Sequence, residues 1–188
     1  KFIEGEMTAR DSETPTFVKG NRIFHQKFGY GRVTSVDGNK LTIDFDKAEW
    51  REDARAFVQS CSELGVPIAL EISRSGKGAH GWVFFADKVS ARDARRLGTA
   101  IISHTCSRTR QLKLESYDRL FPNQDTMPKG GFGNLIALPL QKKPLENGGS
   151  VFVNTALHAY PDQWAFLASI KLMSPIDIEP AILRATNG

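Results

Sequence analysis

Two short stretches hold the residues best suited to chemistry. The run Leu41-Thr42-Ile43-Asp44-Phe45-Asp46 alternates apolar and polar residues and ends on a spaced pair of carboxylates. On an extended strand Leu41, Ile43 and Phe45 face one way, and Thr42, Asp44 and Asp46 face the other. The two Asp Cα atoms then lie roughly 6.5–7 Å apart. Carboxylates so spaced can converge on cations about 3.5–4 Å apart, as two-metal phosphoryl transfer requires. Hard oxygen donors favour Mg²⁺ or Mn²⁺ over Zn²⁺. A half-buried strand with a solvated polar face fits the same pattern.

The second stretch is Ser73-Arg74-Ser75-Gly76-Lys77-Gly78-Ala79-His80, followed by the strand-like Gly81-Trp82-Val83-Phe84-Phe85. Gly76 and Gly78 would let backbone N–H groups approach phosphate oxygens. Arg74 can bind phosphate bidentately, Lys77 adds a compact charge, and Ser75 adds a hydroxyl. His80 could donate to a phosphate oxygen through either ring nitrogen. The Walker spacing G-x-x-x-x-G-K-[ST] is absent, and a strand follows rather than a helix. An ordinary polar connection with an incidental histidine is the competing reading.

Residues 109–133 are rich in Gly, Pro, Asn and Asp, and an irregular stretch of that length is usually functional or mobile. Within it, Asp118 or Asp125 could complete a carboxylate cluster, and Arg119 or Lys129 could contact phosphate or template. A surface loop with capping Asp residues would look the same. Cys61 and Cys106 read as core residues, His104 as part of a helix face, and Trp50, Trp82 and Trp164 as packing residues. No Ser/His/Asp triad follows from the spacing.

The elements that must position these groups are legible in outline. Residues 1–20 are polar and read as a flexible lead-in. Residues 21–48 read as a β-hairpin, with Asp37-Gly38 between Arg32–Val36 and Lys40–Asp46. Trp50, Ala54, Phe57, Val58, Cys61 and Leu64 recur at helical spacing, which predicts a helix over 49–64 closed by Gly65. Strands are expected over 67–73 and 80–86, and a helix over 91–108 capped by Ser90 with Asp93. Further strands are expected at Asn134–Leu138 and Ser150–Val153, and a helix over 161–170 with Pro161 in its first turn. Residues 49–188 thus form the core. The order of elements predicts an α+β fold, an RRM-like, mostly antiparallel sheet with helices packed on it.

Bulk properties narrow the class. The chain has 188 residues, enough for one well-cored domain. Its net charge of +4 permits nucleic-acid contact without requiring it. No membrane span or signal-peptide pattern is present, and two cysteines make no disulfide framework. A reducing, cytoplasmic setting is the default expectation. The start at Lys1 reads as that of a fragment or processed chain.

These motifs, taken in order, resemble a known family. The residues are Asp44-Phe45-Asp46-Lys47, Trp50-Arg51-Glu52-Asp53, Ser73 to His80, Ser116 to Asp125, Gly131 to Gln141 and Tyr160 to Leu167. Together they resemble the archaeo-eukaryotic primase (primase-polymerase) domain of TOTE conflict systems, over about residues 44–172. The resemblance implies a metal-dependent nucleotidyltransferase that adds nucleotides to a 3′-OH. It places the D-x-D metal ligands on Asp44 and Asp46, and the third acid on Asp118, with Asp125 close by. It places the nucleotide-phosphate motif on Ser75 to His80, which together with the loop reading assigns nucleotide binding to Arg74, Ser75, Gly76, Lys77 and His80, with Mg²⁺ or Mn²⁺ as cofactor. Implied partners are nucleoside triphosphates, a DNA or RNA template or primer, and helicase and nuclease domains of a larger protein. Residues 21–48 are also similar to the Tudor-like C-terminal module of UvrD-type helicases. The alternative is therefore a non-catalytic nucleic-acid or protein-binding module of a helicase-associated protein, or an inactive hybrid.

Overall fold

The computed structural model describes residues 22–25, 29–32, 40–45, 50–108, 117–122, 125 and 136–186. Strands β1 (Arg22–His25) and β2 (Gly29–Arg32) pair antiparallel as a two-stranded sheet of their own. The main sheet contains β3 (Lys40–Phe45), β4 (Ala69–Ile72), β5 (Ala79–Phe84), β6 (Tyr117–Phe121) and β7 (Phe152–Val153). Its spatial order is β6-β3-β5-β4-β7, and every neighbouring pair is antiparallel. Helix α1 (Trp50–Glu63) links β3 to β4, and α2 (Ala91–Arg108) links β5 to β6. The order β3-α1-β4-β5-α2-β6 with this strand arrangement is the split βαβ fold. The α+β, RRM-like expectation holds, with a hairpin preceding the sheet.

One face of the sheet carries the larger core. Leu41, Ile43 and Phe45 of β3, Leu70 of β4 and Ala79 and Val83 of β5 meet Ala54, Phe57 and Cys61 of α1 and Leu97 and Ile101 of α2. Helix α5 (Ile178–Thr186) adds Ile178, Ala181 and Ile182. Its Arg184 donates to the Leu64 carbonyl at 2.6 and 3.1 Å, satisfying a group left open at the end of α1. Ser90 caps α2 as expected: its Oγ accepts from the Asp93 N–H at 3.0 Å and donates to Asp93 Oδ2 at 2.7 Å.

The opposite face carries a smaller apolar cluster of Ala69, Trp82 and Phe152. It is covered by Ile136, Leu140, Tyr160 and by Phe166 and Leu167 of α4 (Gln163–Ser169). Tyr160 and Phe166 stack at 3.9 Å.

Several expectations change. Thr42–Phe45 have β5 on one edge and β6 on the other. Residues 33–39 lie outside the described residues; the hairpin seen is β1–β2. Ile136–Leu138 form no strand, because this apolar segment covers the second cluster instead of joining a ladder. Helix α4 begins after Asp162, whose carboxylate accepts from the Trp164 and Ala165 N–H groups, so Pro161 precedes the cap. Helix α3 (Lys142–Glu146) stands between the stretches expected as strands at Asn134–Leu138 and Ser150–Val153. Trp50 and Trp82 are buried, but Trp164 is 67% exposed. Cys61 lies in the core, whereas Cys106 is exposed.

Candidate active site

Strand register assembles the site. Asp44 on β3 stands opposite His80 on β5, and His80 stands opposite Glu71 on β4. The three form one row across the sheet, on the face away from α1 and α2. His80 Nδ1 lies 3.0 Å from Glu71 Oε2, and His80 Nε2 lies 3.5 Å from Asp44 Oδ1. Exposure rises along the row: the Glu71 side chain is 1% exposed, that of His80 9% and that of Asp44 20%. The row therefore opens towards β3 and β6.

Strand β6 brings Asp118 to the strand beside β3. Arg119 pairs in register with Asp44 and Tyr117 with Phe45, so a bulge at this point leaves Asp118 as the extra residue. Asp118 is exposed, and together with burial its carboxylate holds the Tyr117 hydroxyl above its ordinary pKa; burial is the larger cause. Asp125 points elsewhere, its Oδ1 lying 3.0 Å from Arg95 Nε on α2. Asp46, Gly131, Gly133 and Lys129 lie outside the described residues. Among the described residues, no three His, Cys, Asp or Glu side chains gather closely enough to hold a metal.

The Ser73–Gly78 loop joins β4 to β5 as a tight turn. Ser73 N–H donates to the Gly78 carbonyl at 2.9 Å, and Gly76 N–H to the Ser73 carbonyl at 2.9 Å. Lys77 N–H donates to Ser75 Oγ at 3.2 Å. Two N–H groups expected to cradle phosphate are thus engaged within the turn. Arg74, Ser75, Gly76 and Lys77 form its exposed tip. His80 is set back in the sheet. Its Nδ1 is engaged by Glu71, so the expectation that either ring nitrogen could meet a phosphate narrows to Nε2.

Sequence reading missed Glu71, Ser150 and the polar role of Trp82. Trp82 Nε1 donates to Glu71 Oε2 at 2.6 Å, and Ser150 Oγ donates to Glu71 Oε1 at 3.2 Å. The available signal was period two: Glu71 lies between Leu70 and Ile72, on the same face as Ala69.

The chain matches the family described as TOTE conflict system, archaeo-eukaryotic primase domain, over residues 34–181. It belongs to that family. The family's function is of nucleotidyltransferase type, acting on nucleotides and nucleic acids in general. No curated protein matches the chain. In this primase-type domain the matched region contains the whole Asp44–His80–Glu71 row, the Ser73–Gly78 turn and β6. Strands β1 and β2 fall before it. No helix among the described residues is long and apolar enough to cross a membrane.

Proposed function

We propose that this domain is a metal-dependent primase-polymerase that joins a nucleotide to a primer 3′-OH. The observation that carries the reading is the pairing of Asp44 with His80 on a split βαβ sheet, with the strand of Asp118 hydrogen-bonded alongside. Asp44, Asp46 and Asp118 would hold Mg²⁺ or Mn²⁺. These are hard oxygen donors, and the thiol of Cys61 belongs to the core on the other face. When bound, such ions polarise the attacking 3′-hydroxyl and offset charge on the leaving pyrophosphate. The engagement of Asp125 with Arg95 supports Asp118 as the third acid.

The rest of the chemistry falls to side chains on the turn and on β5. Arg74 and Lys77, both exposed at the tip, supply positive charge to the triphosphate. Ser75 and Gly76 shape that tip, and His80, whose Nδ1 donates to Glu71, would donate to a phosphate oxygen from Nε2 as the doubly protonated ring. The 3′-oxygen forms a bond to the α-phosphorus as the bond to pyrophosphate breaks. Catalysis here is mainly positioning and charge stabilisation. Substrates are nucleoside triphosphates with a DNA or RNA template or primer. Helicase and nuclease domains of a larger cytoplasmic assembly are the expected partners.

Primer extension with Mn²⁺ tests this reading. The wild-type domain should incorporate nucleotides only with divalent metal, and the Asp44→Ala, Asp46→Ala double variant should incorporate none. Undiminished incorporation by the double variant would end the assignment. The second reading, a binding module, draws on the separateness of β1–β2 from the main sheet. It predicts nucleic-acid or protein binding that needs no metal and survives removal of Asp118 and His80.

A further inference from the structure

We infer that Glu71 is a positioning residue, which clamps the His80 ring so that Nε2 faces Asp44 and the incoming triphosphate. The inference rests on the primase-polymerase reading for what His80 meets, but the clamp itself is independent of it.

Glu71 is almost fully enclosed, beside the apolar cluster of Ala69, Trp82 and Phe152. An apolar side chain would suit those neighbours, and a carboxylate taken out of water is costly unless donors surround it. Three side chains converge on it. His80 Nδ1 and Trp82 Nε1 both reach Oε2, at 3.0 and 2.6 Å, and Ser150 Oγ reaches Oε1 at 3.2 Å. An indole N–H can only donate, so Oε2 is an acceptor. Its second partner, Nδ1, is then held as a donor. This settles which edge of the imidazole is spent internally and leaves Nε2 for the open side of the row. The Trp82 ring meets His80 edge-on at 6.2 Å and 89°, limiting rotation further.

The support of Glu71 is itself built in. Ser150 is buried and adopts φ 59°, a backbone conformation uncommon for a residue with a Cβ. Its N–H donates to the Ile72 carbonyl at 2.8 Å, its carbonyl accepts from Leu140 N–H at 2.8 Å, and its Oγ accepts from Gln141 N–H at 3.2 Å. Beside it, a Cβ on Gly149 would stand 2.9 Å from the Arg74 carbonyl oxygen and 3.0 Å from that of Ser73. One dipeptide therefore braces both the carboxylate behind His80 and the base of the Ser73–Gly78 turn. The two halves of the triphosphate site are fixed to each other through Gly149-Ser150 and Glu71.

The test reads the ring directly. Histidine ¹⁵N NMR is recorded on the whole chain without nucleotide or metal, with His80 assigned through His80→Asn. The wild type should show a hydrogen-bonded, slowly exchanging Nδ1 proton. Glu71→Gln should retain it, because the amide oxygen can accept from His80 and Trp82 while the NH₂ turns to Ser150. Glu71→Leu should lose it, and KM for nucleotide should rise roughly tenfold with a smaller change in kcat, as for loss of a carboxylate behind a functional histidine. A wild-type ring without that proton overturns the inference, with no variant required. So does a folded Glu71→Leu that keeps the ring signal and the wild-type KM. The expected ring signals in a domain that incorporates no nucleotide with Mn²⁺ would instead sink the primase-polymerase reading and leave the clamp standing.

Discussion

The two faces of the main sheet are made from the same strands and obey opposite rules. On β3, Leu41, Ile43 and Phe45 are buried against helices, while Thr42 and Asp44 between them face the other side. On β5, Val83 joins the helix-side core, whereas His80 and Trp82 turn to the polar row. The helix face is closed by α1, α2 and α5, and its apolar contacts supply cohesion. Among the described residues the other face is covered by α4 and the 136–140 segment, with Asp44 as the most exposed member of its polar row. Fold and proposed chemistry are thereby separated by one residue step along each strand. The difference teaches that substitutions two residues apart should act alike, and substitutions one residue apart should not.

The largest expected effect breaks the open face alone. Asp44→Ala should reduce metal-dependent incorporation to background while changing unfolding free energy by no more than about 1 kcal/mol, the scale of one hydrogen bond. Incorporation assays beside urea denaturation separate the two quantities. A variant that loses activity only by unfolding would erase the distinction between the faces. The counterpart on the helix face is Phe57→Ala. Phe57 is 0% exposed on α1 and meets Phe45 edge-on at 5.7 Å. Its loss should cost about 3–5 kcal/mol. Nucleotide affinity of the fraction that remains folded should be near wild type, as measured by titration below the denaturation midpoint.

How far the sequence could be read follows the same division. Helices α1 and α2 and strand β3 were legible because their apolar residues keep periods of 3.6 or two, and β4 and β5 because short apolar runs are bounded by turn residues. Strand β6 was not. Its core-facing residues Tyr117 and Leu120 are three apart, since the bulge at Asp118 breaks the alternation, and Asp118-Arg119 looks like loop. The Asp44–His80 pairing was half legible: each motif was visible, but only register could set them opposite each other. Glu71 was hidden by its apolar neighbours Leu70 and Ile72, which make the segment look like a wholly buried strand. The assignment of Asp44, Asp46 and Asp118 as a metal set came from family resemblance and stands as a proposal.

A third variant sharpens the comparison at the seam between loop and sheet. Gly149→Ala places a methyl against the backbone oxygens of Ser73 and Arg74, which cannot swing aside as a flexible side chain would. Stability should fall by about 1–3 kcal/mol, the usual range for overpacking. Nucleotide KM should rise more than the stability loss accounts for, because the strain falls on the turn that carries Arg74 and Lys77. An unchanged KM would uncouple Gly149 from the site and confine its role to packing.

The smallest effect concerns whether the two faces open together. Cys61 sits at 0% exposure in the helix-side core, and burial pushes its thiol well above the ordinary range. Cys106 is exposed; partial burial, then the Asp53 carboxylate, raises its thiol more modestly. The thiolate is the reactive form, so at pH 8 Cys106 should alkylate more slowly than a free thiol and accelerate as pH rises. Cys61 should alkylate only when the core opens. Because β3 and β5 serve both faces, opening of the helix side requires loss of the sheet that carries the proposed nucleotide site. Nucleotide with Mn²⁺ at about 100 times Kd should then slow Cys61 labelling roughly a hundredfold, by linkage to the folded state. Labelling of Cys106 should not change. A Cys61 rate indifferent to nucleotide would mean that α1 detaches while the polar row stays assembled, and the two faces would then be separate units of stability as well as of chemistry.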